Sequence, residues 1–206
     1  MHEPTGPSCV SAAATRDALR PLLRERRRQL AAAQRIAAAS ALADRLLQPA
    51  LLPSSGYVAG YWAMDGEIGL HAFQLRLPPP LVYCLPVLCG EGQLRFAPWR
   101  AGEPLVSNRY GIPEPDVSPA STVPAAEMAM LVLPLVGFDA DCNRLGMGGG
   151  WYDRTLAFRL ARPAPPLLVG AAFALQQVDQ VTAQPWDVRL DAVCTETATF
   201  HAGIAA

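Results

Sequence analysis

The residues best able to do chemistry gather between Leu131 and Leu156. Gly146, Gly148, Gly149 and Gly150 fall within five positions, with Arg144 just before them and Asp153 and Arg154 just after. Glycines let backbone N–H groups approach an anion closely. The two guanidinium forks suit phosphate oxygens. Asp153 could hold a divalent cation that bridges those oxygens. Trp151 and Tyr152 add flat faces for a planar ligand. The chemistry implied is phosphate binding. This is neither a Walker loop, which needs Gly-Lys-Ser/Thr, nor the dinucleotide fingerprint, which needs a third Gly where Trp151 stands. The alternative is a tight glycine turn with no ligand, and the flanking charges weigh against it.

Positioning such a loop takes a strand before it and a helix after it. Met128–Leu133 is an apolar run that reads as a buried strand, followed by a polar loop over Asp139–Arg144. Asp153–Leu160 reads as a helix, ended by Pro163–Pro166. Thr15 can cap an N-terminal helix whose apolar positions are Leu19, Leu22, Leu23 and Leu30. Pro21 predicts that this helix starts near Arg20 or kinks there. A second helix is expected over Ala33–Leu47, with Ile36, Leu42, Leu46 and Leu47 on its apolar side, and a short one over Leu70–Leu77. Tyr57–Tyr61, Leu81–Leu85, Leu94–Trp99 and Leu167–Phe173 read as strands, the middle two as a hairpin. Asp116–Ala126 is a Pro- and Ser-rich surface loop. Strands alternating with helices give an α/β class with a mostly parallel sheet covered on both faces.

The chain has 206 residues, the size of one α/β domain. Residues 1–14 read as a loose leader, 15–200 as a single catalytic domain and 201–206 as a tail. Formal net charge is −1, so there is no global electrostatic case for nucleic acid. Residues 16–45 nevertheless hold eight Arg against Asp17, Glu25 and Asp44, a local +5. For Arg24 to Arg28 the favoured reading is a solvated face. All 17 basic residues are Arg, which excludes a Schiff-base lysine, a P-loop lysine and pyridoxal-phosphate attachment. Five Cys without a CxxC and only three His argue against zinc and for free thiols in the cytoplasm. Met1–Ala14 lacks a signal-peptide pattern, and Met128–Phe138 is too short to span a bilayer and contains Pro134.

Gly137-Phe138-Asp139, followed by Asn143-Arg144-Leu145-Gly146-Met147-Gly148-Gly149-Gly150-Trp151-Tyr152-Asp153-Arg154, resembles the signature of the 5-formyltetrahydrofolate cyclo-ligase family, also called 5,10-methenyltetrahydrofolate synthetases. The resemblance extends from about Arg16 to about Glu196. It implies a three-layer α/β/α fold. It also implies ATP- and Mg²⁺-dependent closure of 5-formyltetrahydrofolate to 5,10-methenyltetrahydrofolate, with release of ADP and phosphate. ATP contacts are implied for Arg16-Asp17-Ala18-Leu19-Arg20, where the family begins with Lys, and for Arg144 to Tyr152. Folate contacts are implied for Trp62, Glu67, Tyr110, Gly148, Gly149, Gly150 and Trp151. Arg144 and Tyr152 take catalytic roles, and Asp153 and Asp187 would hold the metal. Glu67 would bind the polar edge of the pterin; as a plain residue it reads as a surface carboxylate in a turn. Tyr110 is equally a rim aromatic, and Asp187 equally a turn cap. Met147 and Trp151 depart from the residues usual at their positions in the family. The expected partners are 5-formyltetrahydrofolate and ATP, for a cytoplasmic monomer that engages neither nucleic acid nor membrane.

Two rivals remain at this point. One is a non-catalytic nucleotide or nucleic-acid module built on Arg16–Arg45, which lacks the interleaved aromatics such a surface uses. The other is a sugar-phosphate isomerase, whose base would have to be Asp153 or Asp139.

Overall fold

The apolar run at 128–134 forms the middle strand of a seven-stranded sheet. The computed structural model describes residues 15–203, so the leader 1–14 and the last three residues lie outside it. In chain order the elements are α1 (Arg16–Arg28), α2 (Ala32–Leu46), β1 (Gly56–Ala59), α3 (His71–Arg76), β2 (Leu81–Leu88) and β3 (Leu94–Pro98). There follow β4 (Leu105–Ser107), β5 (Pro113–Pro115), β6 (Met128–Pro134), β7 (Gly137–Phe138), β8 (Arg144–Leu145) and α4 (Trp151–Leu156). The chain closes with β9 (Leu167–Ala171), β10 (Ala192–Cys194) and β11 (Thr199–His201).

The sheet order is β11-β10-β9-β6-β1-β2-β3. Strands β10, β9, β6, β1 and β2 run parallel, and the edge strands β3 and β11 are antiparallel to their neighbours. The mostly parallel sheet and the β2–β3 hairpin match the sequence reading. Strand β2 continues through Pro86, beyond the expected end at Leu85. Pro86 pairs with Phe96, whose own N–H turns away to the Val123 carbonyl (2.9 Å), and pairing with β1 ends at Cys84. The proline's missing donor therefore faces no acceptor in the ladder.

Strand β6 shows why both faces are covered. Met130 and Val132 point into one apolar cluster with Leu42, Leu46 and Phe73 of the α2–α3 layer. Leu131 and Leu133 point the other way, with Leu156 of α4, Phe96 and Leu168. Near-continuous apolar character with two-residue alternation is what a strand buried on both sides requires. Ile36 was expected on the buried side of α2 but is 70% exposed; Leu42 and Leu46 carry that face. Gly60 follows β1 where a Cβ would sit 2.0 Å from the Tyr83 hydroxyl, so a glycine there leaves room for the end of the Tyr83 side chain.

Helix α1 begins at Arg16, not near Arg20. Thr15 is its N-cap, its hydroxyl accepting the Ala18 N–H (3.3 Å). Pro21 lies inside the second turn, where it removes only the bond to the Asp17 carbonyl. Leu19 and Leu23 pack on Val136, Leu145, Val178 and Val181. The helix thus lies against the chain that leaves β6, across the end of the sheet.

Candidate active site

A cavity of about 580 Å³ opens at the C-terminal ends of β1, β2 and β6. Tyr61 and Trp62 enter it just after β1, Pro86 and Leu88 from β2, and Pro134 and Leu135 from the end of β6. That edge of a parallel sheet is where α/β folds place ligands.

The glycine loop forms one wall. The β7–β8 hairpin, with Phe138 paired to Arg144, delivers Arg144 to the cavity floor. Arg144 is 6% exposed, and its guanidinium donates to the Asp153 carboxylate. Burial pushes the Arg144 guanidinium below its ordinary value, and the charges of Asp153 and Asp187 oppose that. Gly150, the N-cap of α4, has φ 66°, a left-handed conformation that favours glycine. A Cβ there would also come within 2.7 Å of the Arg154 guanidinium. Arg154 itself donates to the Gly149 (2.9 Å) and Gly92 (3.0 Å) carbonyls. It braces the loop from outside, instead of flanking a phosphate as the sequence suggested. Gly146, Gly148, Gly149, Trp151, Tyr152 and Met147 all line the cavity, the last 50% exposed.

Helix α1 adds Arg16, Asp17 and Arg20 to the same wall. Arg20 Nε donates to the Gly146 carbonyl (2.9 Å), and the rest of its fork reaches Asp17. Arg16 donates to Asp187 and to the Thr182 carbonyl (3.0 Å). Three residues assigned to ATP by resemblance are not on the wall. Ala18 is exposed away from it, and Leu19 and Leu145 are buried under the helix. An i, i+4 face can present Arg16 and Arg20 only by turning Ala18 and Leu19 elsewhere.

Trp62, Glu67 and Tyr110 line the remainder. Trp62 meets Trp99 edge-on, with ring centroids 5.9 Å apart. Tyr110 is 55% exposed and meets Trp151 edge-on at 5.9 Å, so it is both a rim aromatic and part of the cavity wall. Asn108 holds the turn under it: its amide oxygen accepts the Tyr110 (2.9 Å) and Ile112 (3.1 Å) N–H groups, and its nitrogen donates to Glu114. Glu67 is not a surface carboxylate; its side chain is only 11% exposed and accepts the Met64 N–H (3.0 Å). Burial pushes the Glu67 carboxyl up, against the pull of that hydrogen bond and of Arg27. The Tyr152 and Tyr61 phenols are also raised, by burial first and by the Glu67 charge second.

The arginine cluster departs most from the sequence reading. Arg27 is fully buried, while Arg24 and Arg28 turn to Asp65 at 2.7 Å and 2.8 Å. Of the side chains expected in solvent, Arg28 stays exposed while reaching Asp65, and Arg24 and Arg27 face the turn that carries Glu67. Asp65, with a positive φ of 49°, is a site residue the sequence reading missed. The available signal was a carboxylate two positions before Glu67 in a chain with an unpaired basic helix. Gln184 and Trp186 also line the cavity and were likewise missed.

Asp187 accepts the Gln184 N–H (2.9 Å), which closes the Gln184–Asp187 turn, and at the same time pairs with Arg16. Among the described residues no three His, Cys, Asp or Glu side chains converge as a ready metal cage. Asp153 and Asp187 both reach the cavity wall, however. Two carboxylates fit Mg²⁺, which keeps several waters and shares its coordination with substrate phosphates.

The sequence profile of the 5-formyltetrahydrofolate cyclo-ligase family matches residues 12–196. The chain is 35% identical over 179 residues to the 5-formyltetrahydrofolate cyclo-ligase of Haemophilus influenzae, covering 85% of this chain and 94% of that one. It is 35% identical over 184 residues to the Escherichia coli K12 enzyme of the same name, covering 87% of this chain and all of the other. Its fold is similar to that of the Aquifex aeolicus 5,10-methenyltetrahydrofolate synthetase, with a TM-score of 0.77 at 24% identity, covering 93% of this chain and 94% of the other. A 5,10-methenyltetrahydrofolate synthetase from Mycoplasma pneumoniae aligns with a TM-score of 0.69, over 89% of this chain and 99% of that one. With the profile spanning nearly the whole chain and the glycine loop, Arg144 and Glu67 in one cavity, the protein belongs to the 5-formyltetrahydrofolate cyclo-ligase family.

Proposed function

We propose that this protein catalyses ATP-dependent cyclisation of 5-formyltetrahydrofolate to 5,10-methenyltetrahydrofolate. The observation that carries the reading is a single cavity lined together by the glycine loop, Arg20 and Arg144, by the aromatics Trp62, Tyr110 and Trp151, and by Glu67. Arg144, Arg20 and the Gly148–Gly150 amides receive the phosphates. Trp62, Tyr110 and Trp151 wall the folate, and the Glu67 carboxylate accepts the paired N–H donors of the aminopyrimidine edge.

The formyl oxygen takes the γ-phosphoryl group of ATP, and ADP departs. The neighbouring folate nitrogen then attacks the activated carbon, the ring closes and phosphate leaves. Such transfers depend on positioning and on neutralising charge, which the buried Arg144 supplies at the cavity floor. Tyr152, whose phenol stays protonated, can donate a hydrogen bond beside it. Mg²⁺ brought with ATP would be held by Asp153 and Asp187 and would neutralise phosphate charge.

The free thiols Cys84, Cys89, Cys142 and Cys194 suit a reducing cytoplasm. The test is appearance of methenyltetrahydrofolate absorbance from 5-formyltetrahydrofolate, with and without ATP and Mg²⁺. Folded protein that shows no ATP-dependent product overturns the reading.

A further inference from the structure

Arg27 is the largest fully buried side chain of the described residues and belongs to none of the groups assigned above to phosphate or folate. A buried guanidinium is costly unless each donor is used. Here Nε donates to the Asp65 carbonyl (2.9 Å), Nη1 to the Leu135 carbonyl (3.0 Å), and Nη2 to the Asp65 carboxylate (3.0 Å). Nη2 also lies 3.7 Å from the Glu67 carboxylate. One side chain therefore ties α1 to the exit of β6 and to both carboxylates of the 65–67 turn.

We propose that Arg27 is a positioning residue of the folate subsite: it fixes the Asp65–Glu67 turn and supplies the buried positive charge behind the Glu67 carboxylate at the cavity wall. The inference rests on the folate reading of Glu67. Asp65 is shared by Arg24, Arg28 and Arg27, and the Arg27 Nη2 that bonds its carboxylate also lies 3.7 Å from Glu67. The groups that face Glu67 are Arg27 and Arg24 of α1, Asp65 beside it, Tyr61 after β1 and Tyr152 of α4. Arg27 is the nearest cation among them, and burial already favours the neutral acid. Without Arg27 the carboxyl would hold its proton to higher pH, and a protonated Glu67 accepts the pterin donors poorly.

The experiment compares wild type, Arg27→Met and Arg27→Lys by two readouts. The first is the Glu67 carboxyl titration in ligand-free protein, followed by ¹³C NMR and assigned with Glu67→Gln. The second is the pair of KM values for 5-formyltetrahydrofolate and ATP as a function of pH. Arg27→Met is expected to move the titration up by about one pH unit or more. It should raise the folate KM at least about tenfold while the ATP KM stays within about threefold, the split that a ~1.4 kcal/mol local loss gives. Arg27→Lys, which keeps the charge and loses the fork, should return most of the titration shift. An unmoved titration, or folate and ATP KM values that rise together, overturns the proposal. If Arg27→Met does not fold, Arg27→Lys decides alone: a rise confined to the folate KM supports the role and an equal rise in both refutes it. Wild-type protein that forms no methenyl product overturns the folate reading instead, and the ligand-free titration still decides the role of Arg27.

Discussion

Arg144 and Asp153, nine residues apart, are joined across the glycine loop by a direct guanidinium–carboxylate bond. The loop between them is therefore pinned at both ends by one ion pair, with Asp187 as the next carboxylate whose field reaches Arg144. Any ligand phosphate that takes Arg144 must share it with Asp153, which frees that carboxylate for a cation.

Asp153→Asn tests this exchange. The substitution leaves a mostly buried Arg144 without its main counter-charge, so a stability loss of about 1–3 kcal/mol is expected in urea unfolding. Stability alone thus does not separate a structural from a metal-holding role. Turnover should fall at least about tenfold, ~1.4 kcal/mol in the barrier, with a higher Mg²⁺ concentration needed for half-activity. Near-normal turnover at an unchanged Mg²⁺ requirement would remove Asp153 from the metal site.

Glu67→Gln should weaken folate binding far more than ATP binding. A lost charge-assisted pair costs about 1.5–3 kcal/mol. Calorimetric titration of the same protein with each ligand gives the comparison. Equal losses for the two would make Glu67 a structural residue of its turn.

Arg20→Ala should raise the KM for ATP about tenfold, ~1.4 kcal/mol, and leave the folate KM nearly unchanged. The side chain also supports the Gly146 carbonyl, so thermal unfolding should be followed alongside. A change confined to stability would take Arg20 out of the phosphate contacts.

Asp65 gives a prediction about acid stability. Burial raises its carboxyl, but hydrogen bonds and charge from Arg24 and Arg27 outweigh that and hold it below its ordinary value of 3.8. A depressed carboxylate contributes stability that is present above its unfolded value and lost as pH falls through the folded one. The stability gap between wild type and Asp65→Asn should thus be full at neutral pH and shrink below about pH 4. Urea unfolding at a series of pH values measures it; a gap that does not change with acidity would refute the pairing.

Much of the sheet was legible because strand burial writes itself as apolar runs, as at Met128–Leu133 and Leu167–Ala171. The glycine loop was legible because its residue types have few other uses. The roles of Arg24, Arg27 and Arg28 were not, because their partners lie far along the chain, about the 65–67 turn and at the exit of β6. Helix periodicity places Arg27 on the side of Leu19 and Leu23, and charge alone argued for solvent; the acceptors at Asp65 and Leu135 decided otherwise. Pro21 set the expected helix start too late: it lies in the second turn, and the helix begins at Arg16 and runs through it. Ala18 and Leu19 of α1 and Leu145 of β8 were carried along with neighbours that do line the cavity, although their own side chains do not.

Helix α1 holds Arg16 and Arg20 at one end and Arg24, Arg27 and Arg28 at the other, so a single rod of 13 residues lines the cavity with its first turns and braces the Asp65 turn with its last. The same rod rests on Val136 and Leu145, which lead into the glycine loop. An enzyme cut back to residue 29 would not be a weaker ATP binder with its folate pocket intact. It would lose Arg16 and Arg20 from the cavity wall and the brace of the turn that carries Glu67 at once, and no supplement of nucleotide could restore the turnover.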